Sequence, residues 1–173
     1  MTPFEIAGVL VACMQTAFTG DAGAPAEICH RPGDQVPLNM GLAQDECCSG
    51  LGWVRVQSID PVIDPAEANN PDYNACDTLR RTLTIELGVA RCNPFGTNNA
   101  GPTCEQWTEL AARIDLDATA MRRAVCCAAA ELTGDDTTSV YRVLGGSWTP
   151  LESSGGCAGG SMTVAVWTDC TDC

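Results

Sequence analysis

The stretch Leu79 to Arg91 (LRRTLTIELGVAR) restricts the fold more than any other part of the sequence. In an extended chain Leu83, Ile85, Leu87 and Val89 fall on one face, and Thr82, Thr84, Glu86, Gly88 and Ala90 on the other. A strand that is apolar on one side only needs a covering layer there and tolerates water opposite, as antiparallel sheets do. Two helical stretches can supply that layer. Thr2-Pro3-Phe4-Glu5 has the form of a capping box, followed by Phe4, Ala7, Leu10 and Met14 at helical spacing, so a helix is expected over residues 3–19 with Gly20 as its stop. Thr103-Cys104-Glu105-Gln106 is a second capping box. Trp107, Leu110, Ala111, Ile114, Ala118, Met121 and Val125 extend it as an apolar stripe to about Glu131, with a bend expected at Asp115–Asp117, where Asp117 re-caps the chain.

Leu51 to Asp60 reads as a strand ended by Pro61, Val140 to Trp148 as another, and the alternation of Met162, Val164 and Val166 with Thr163, Ala165 and Trp167 as a third. A short strand near Ala26–Cys29 is also indicated. Gly145-Gly146 and Gly155-Gly156…Gly159-Gly160 read as turns. Segments 20–50 and 61–77 are long loops rich in Gly, Pro, Asp and Asn. With 173 residues and a hydrophobic content of 45%, the chain is expected to form a single domain, 1–173. Its class is α+β: an antiparallel or mixed sheet of about four strands, with two main helices packed on one face.

Twenty-two carboxylates stand against nine basic residues, all of them arginine, for a net charge of −13. That balance opposes a grip on nucleic acid or on an anionic membrane, since both need a basic surface. It is compatible with DNA passing close by without sticking, and equally with simple solubility. Leu10-Val11-Ala12-Cys13 resembles a lipoprotein cleavage box, but Glu5 stands where a signal would carry lysine, so a soluble, cytosol-made chain is expected. No nucleophile elbow, P-loop or dinucleotide fingerprint occurs, and the acidic pairs, Asp115/Asp117 among them, read as solvated caps and turns. No catalytic residue, cofactor or metal is therefore expected.

Twelve cysteines are the most prominent chemical feature. A zinc site would start from Cys170-x-x-Cys173 and add Cys47, Cys48 or Cys157, which is a thin ligand pattern. Thiol chemistry would rely on Cys104 at a helix start, or on Cys29 beside the lone histidine, His30, where the required geometry is hard to reach. The structural reading treats Cys13, Cys126 and Cys127 as small apolar residues on helices. It also offers two disulfides that compete for Cys92: one with Cys104 across the loop that the two flank, the other with Cys47 or Cys48 at the start of the first long strand. Of the four tryptophans, Trp148, between Gly146 and Pro150, is the one expected at a subunit contact.

Taken in order, the segments ECCSGLGWVRVQSIDP, LTIELGVARCNP, PTCEQWTELAARIDLDATAMRRAVCCA and WTPLESSGGCAGGSMTVAVWTD resemble the head-to-tail connector proteins of actinobacterial siphophages, specifically the tail terminators. The resemblance rests on order and spacing, from residue 44 onward plus the first helix. It implies an α/β domain forming a hexameric ring, a homo-oligomer that caps the tail tube protein, faces the head–tail connector or stopper protein and lets genomic DNA through its lumen. Loops 61–77 and 93–102 would then meet the tube or the connector. The same resemblance admits a head-side stopper or adaptor ring, and it transfers no catalytic residue.

Overall fold

The computed structural model describes residues 1–21, 23–33, 48–62, 80–94, 101–134, 139–154 and 156–169, with the side chains of 152–154 excepted. Of the three expected loops, residues 22, 34–47, 63–77 and 95–100 lie outside these residues. Helix α1 runs from Pro3 to Phe18. Its capping box is formed: the Glu5 amide donates to Thr2 Oγ1 at 3.3 Å, and the Thr2 amide donates to Glu5 Oε2 at 2.7 Å. The hydrogen bond from the Thr2 amide, reinforced by the Thr2 side chain, holds the Glu5 carboxyl below its usual range. Helix α2, Cys104–Thr133, opens on the second box, in which the Gln106 amide donates to Thr103 Oγ1 and the Thr103 amide to Gln106 Oε1.

Five strands make one mixed sheet: β1 (Glu27–His30), β2 (Leu51–Pro61), β3 (Arg80–Cys92), β4 (Val140–Ser154) and β5 (Cys157–Asp169). Their spatial order is β1-β2-β3-β5-β4, with β1 parallel to β2 and every other pair antiparallel. The domain is thus α+β with a mixed sheet, one strand richer than expected because the short β1 pairs along β2.

The β4–β5 hairpin differs from its reading as strand, glycine turn, strand. Gly145 and Gly146 lie inside β4, and Gly159 and Gly160 inside β5; among the described glycines of the hairpin, Gly156, at φ +87°, sits in the turn. The reason is crowding. A Cβ on Gly159 would come within 2.0 Å of the Val89 carbonyl oxygen, and one on Gly160 within 2.0 Å of the Trp148 indole. These glycines let a strand and an aromatic ring approach a neighbouring backbone, which is glycine's other use in a sheet.

The register places Val54, Leu83, Ile85, Leu87, Val89, Val164 and Val166 on one face, and the two helices cover it. From α1 the core receives Ile6, Leu10, Met14 and Phe18, and from α2 Met121, Ala124, Ala128 and Leu132. The helices run antiparallel. The terminal amino group of Met1 reaches Ser139, just past the end of α2, while Ala17 at the other end of α1 accepts from Arg123 Nη2 at 3.0 Å. Between those points a disulfide joins Cys13 to Cys127. This corrects the reading of both as free apolar residues: antiparallel packing brings a thiol of each helix to the shared seam. Cys126, one position before Cys127 and about 100° around the helix, is free and exposed.

A second correction concerns Asp117. Helix α2 passes through Asp115–Asp117 without a break, and Asp117 is only 3% exposed. Its carboxylate takes a bidentate bond from Arg91 of β3, at 2.8 Å from Nε and 2.6 Å from Nη2. Arg91 Nη1 donates to the Gly23 carbonyl at 2.7 Å, and Arg113 Nη2 donates to the same carbonyl. Asp117 therefore ties α2 to β3, and its arginine partners tie both to the segment between α1 and β1.

Candidate interaction surfaces

The sheet face turned away from the helices carries the polar positions of β3 together with Trp53 and Arg55 of β2 and Thr163, Ala165 and Trp167 of β5. Along the strands this face divides into two ends of different character. At the end where β2 begins and β3 finishes, Leu51, Trp53, Ala90 and Cys157 form a small buried cluster of their own, with Leu151 packed on it. Trp53 is 1% exposed and lies across Gly88, its cross-strand partner; a Cβ there would stand 2.1 Å from the indole. That end is covered, although neither α1 nor α2 lies on it.

Glu86 organises the polar edge of this cluster. It accepts from Trp53 Nε1 at 2.8 Å, from Arg55 Nε and Nη2 at 2.9 and 3.0 Å, and from Gln57 Nε2 at 2.9 Å. Burial pushes the Glu86 carboxyl up, but the bonds from Arg55, Trp53 and Gln57 outweigh it and hold the group below the ordinary range. The depressed value means that the ionised form stabilises the fold above the unfolded-state value of about 4.3, and that this contribution fades as pH falls through the lower folded value. Glu86→Ala is accordingly expected to cost about 2 kcal/mol at pH 7. Urea titrations of both proteins from pH 7 down to about pH 3 should show the difference shrink at the acid end; a gap that stays constant with pH would show that the charge contributes nothing.

The other end of the face is open. Arg80 lies over the Tyr141 ring at 5.9 Å and Arg142 over the Trp167 ring at 5.3 Å. Tyr141 is 48% and Leu144 43% exposed. Arg80 makes only a loose, solvent-washed pair with Asp169 at 3.7 Å, and Arg142 has no ion pair among the described residues. A second unusual surface belongs to α2. All its buried residues fall between Asp117 and Leu132, so its first thirteen residues extend past the core. There Trp107 is 43% and Leu116 59% exposed, and Glu105 and Glu109 stand in solvent without an ion pair among the described residues.

The cysteines expected at a site resolve as follows. Cys48 is bonded to Cys92, because the antiparallel β2–β3 pairing carries the start of one strand to the end of the other. The alternative Cys92–Cys104 pair is therefore corrected: Cys104 is a free, exposed thiol at the start of α2. Cys47 lies outside the described residues, as do Cys170 and Cys173 of the zinc reading. Cys48 and Cys157 are disulfide-bonded, which removes both from a thiolate ligand set. Cys29 and His30 alternate along β1, which turns them to opposite faces, and His30 instead rests against the Phe4 ring at 5.4 Å. Trp148 is half-buried against the core on the helix side, its indole N–H shielded and unbonded among the described residues.

Between the helices a shallow cleft of about 310 Å³ opens over the Cys13–Cys127 bond, with Arg123 at its rim. Among the described residues no three His, Cys, Asp or Glu side chains cluster as metal ligands would, and no helix is long and apolar enough to cross a membrane. No protein-family model and no curated protein matches the chain.

Proposed function

We propose that the chain is a structural subunit of the ring at the head–tail joint of a long-tailed phage, the tail terminator that closes the tail tube and presents it to the head. The observation that carries the reading is the distribution of charge. Stretches 34–47, 63–79, 135–138 and 170–173 of the sequence hold ten of the twenty-two carboxylates and none of the nine arginines. A two-layer domain with such acidic connections offers repulsion to DNA phosphates without holding them, the property a DNA-conducting lumen needs. The resemblance to siphophage terminators supplies the rest: a hexameric ring whose neighbours are the tail tube protein and the head-side connector or stopper, located in the virion neck. Trp148, half-buried on β4, is assigned to the subunit contacts of such a ring.

A second reading is favoured by one specific observation. Two disulfides bridge sequence separations of 114 and 44 residues, as in a stapled binding module that works in an oxidising environment. Electron microscopy of phage lacking the gene separates the possibilities. Overlong tail tubes are expected of a terminator. Tails of normal length on leaking heads would move the chain to the stopper or adaptor ring, and unaltered infectious particles would overturn the neck role in favour of the module.

A further inference from the structure

The open end of the sheet and the projecting start of α2 are complementary. The first is a surface of arginine stacked on aromatic rings, Arg80 on Tyr141 and Arg142 on Trp167, with Leu144 exposed beside them. In a chain of net charge −13 it is a concentrated basic and aromatic patch, the composition that carries binding energy at protein interfaces. The second is acidic. Glu105 and Glu109 are one turn apart on α2, and Ala112 and Leu116 continue the same side at the 3–4 spacing, so two unpaired carboxylates and an exposed leucine share one face.

We infer that these two surfaces dock on each other between copies: the Glu105–Glu109–Leu116 face of α2 in one subunit seats on the Arg80, Tyr141, Arg142, Leu144 and Trp167 patch of the next. One molecule cannot make the contact with itself. The patch lies on the sheet face turned away from the helices, whereas α2 lies on the other face. A contact between two different surfaces is heterologous, the head-to-tail kind from which a ring is built when its rotation closes. Arginine already stacked on an aromatic ring is held ready to meet a carboxylate, and an exposed leucine on each side supplies the apolar centre. This inference deepens the ring reading above by naming the faces that meet.

The test uses the full-length chain in sedimentation velocity over a concentration series. Wild type is expected to self-associate and to weaken as salt rises from about 0.05 to 0.5 M, the mark of exposed charge pairs. Arg142→Glu and Glu109→Arg should each weaken association by about tenfold or more, with the melting temperature unchanged because both side chains are exposed. Combining them, Arg142→Glu with Glu109→Arg, should recover most of the lost association, which neither a general charge effect nor misfolding would do. A wild-type chain monomeric at about 1 mM, variants that assemble like wild type, or a double variant no better than the singles would each overturn the contact. The neck role fails separately. Phage carrying Arg142→Glu with ordinary tails, alongside wild-type chain that assembles through this contact, would remove the role and leave the contact.

Discussion

Replacing Asp117 by alanine is expected to cost the domain about 3–5 kcal/mol, the loss typical when one partner of a buried pair is removed and the other stays. Arg91 is 8% exposed and would keep its charge beneath α2 with only the Gly23 carbonyl to receive it. The same substitution also removes the carboxylate that lies 3.6 Å from Arg113 Nε. Measured by urea unfolding, the midpoint should fall by about 1.5–2 M at an unchanged slope. A domain of ordinary stability, about 5–15 kcal/mol, would lose about a fifth of it or more. Replacing both partners by apolar residues of similar volume, Asp117→Leu with Arg91→Met, should return at least half of the loss, because the desolvated charge leaves with its partner. A single-site cost below about 1 kcal/mol would mean that water reaches the pair and that the buried geometry contributes little.

Asp117 also shows where reading the sequence stopped. Its position two residues after Asp115, in a stripe of moderate hydrophobicity, is what a helix cap or bend looks like, and nothing local distinguishes a solvated carboxylate from a buried one. The distinguishing partner, Arg91, is 26 residues away and arrives only through the packing of α2 on β3. Elements with a strong period were legible for the opposite reason. Leu83, Ile85, Leu87 and Val89 alternate, and both capping boxes satisfy themselves within four residues, so local chemistry sufficed. Glycine was ambiguous: Gly159 and Gly160 serve close approach inside β5, while Gly156 serves the turn beside them, and the residue type is the same.

The candidate surfaces were harder still to foresee. β5 lies between β3 and β4, so the arginine–aromatic patch gathers Arg80, Tyr141, Arg142 and Trp167 from three strands that are not in sequence order. The apolar stripe of α2 was visible, but its length alone does not say where the core ends beneath it. At about 1.5 Å per residue, α2 with 30 residues is nearly twice as long as α1 with 16, and the excess is what projects. Cys48–Cys92 was open to inference as one of two competing pairs because strand order fixes which ends meet. Cys13–Cys127 required the antiparallel arrangement of two helices that the sequence leaves undetermined.

That bond leads to the other large expected effect. Cys13→Ala combined with Cys127→Ala is expected to lower stability by about 4 kcal/mol under oxidising conditions, equivalent to roughly 10 °C in melting temperature for a domain of this size. The two cysteines are 114 residues apart, so the crosslink removes a large share of the freedom of the unfolded chain. The Cys48–Cys92 bond lies within that interval and already shortens the loop, which trims the effect from its single-loop value. Substituting both cysteines leaves no thiol orphaned by the loss of its partner at the seam, and alanine suits a helix there, so the crosslink itself is what changes. In the presence of a dithiol reductant, which the cleft beside Arg123 admits, wild type should fall to within about 1 kcal/mol of the double variant. If the gap between the two proteins persists fully after reduction is verified by thiol counting, sulfur packing rather than the covalent link stabilises the seam. If it closes, the covalent link is what stabilises the seam, and the chain gains that stability only in oxidising surroundings.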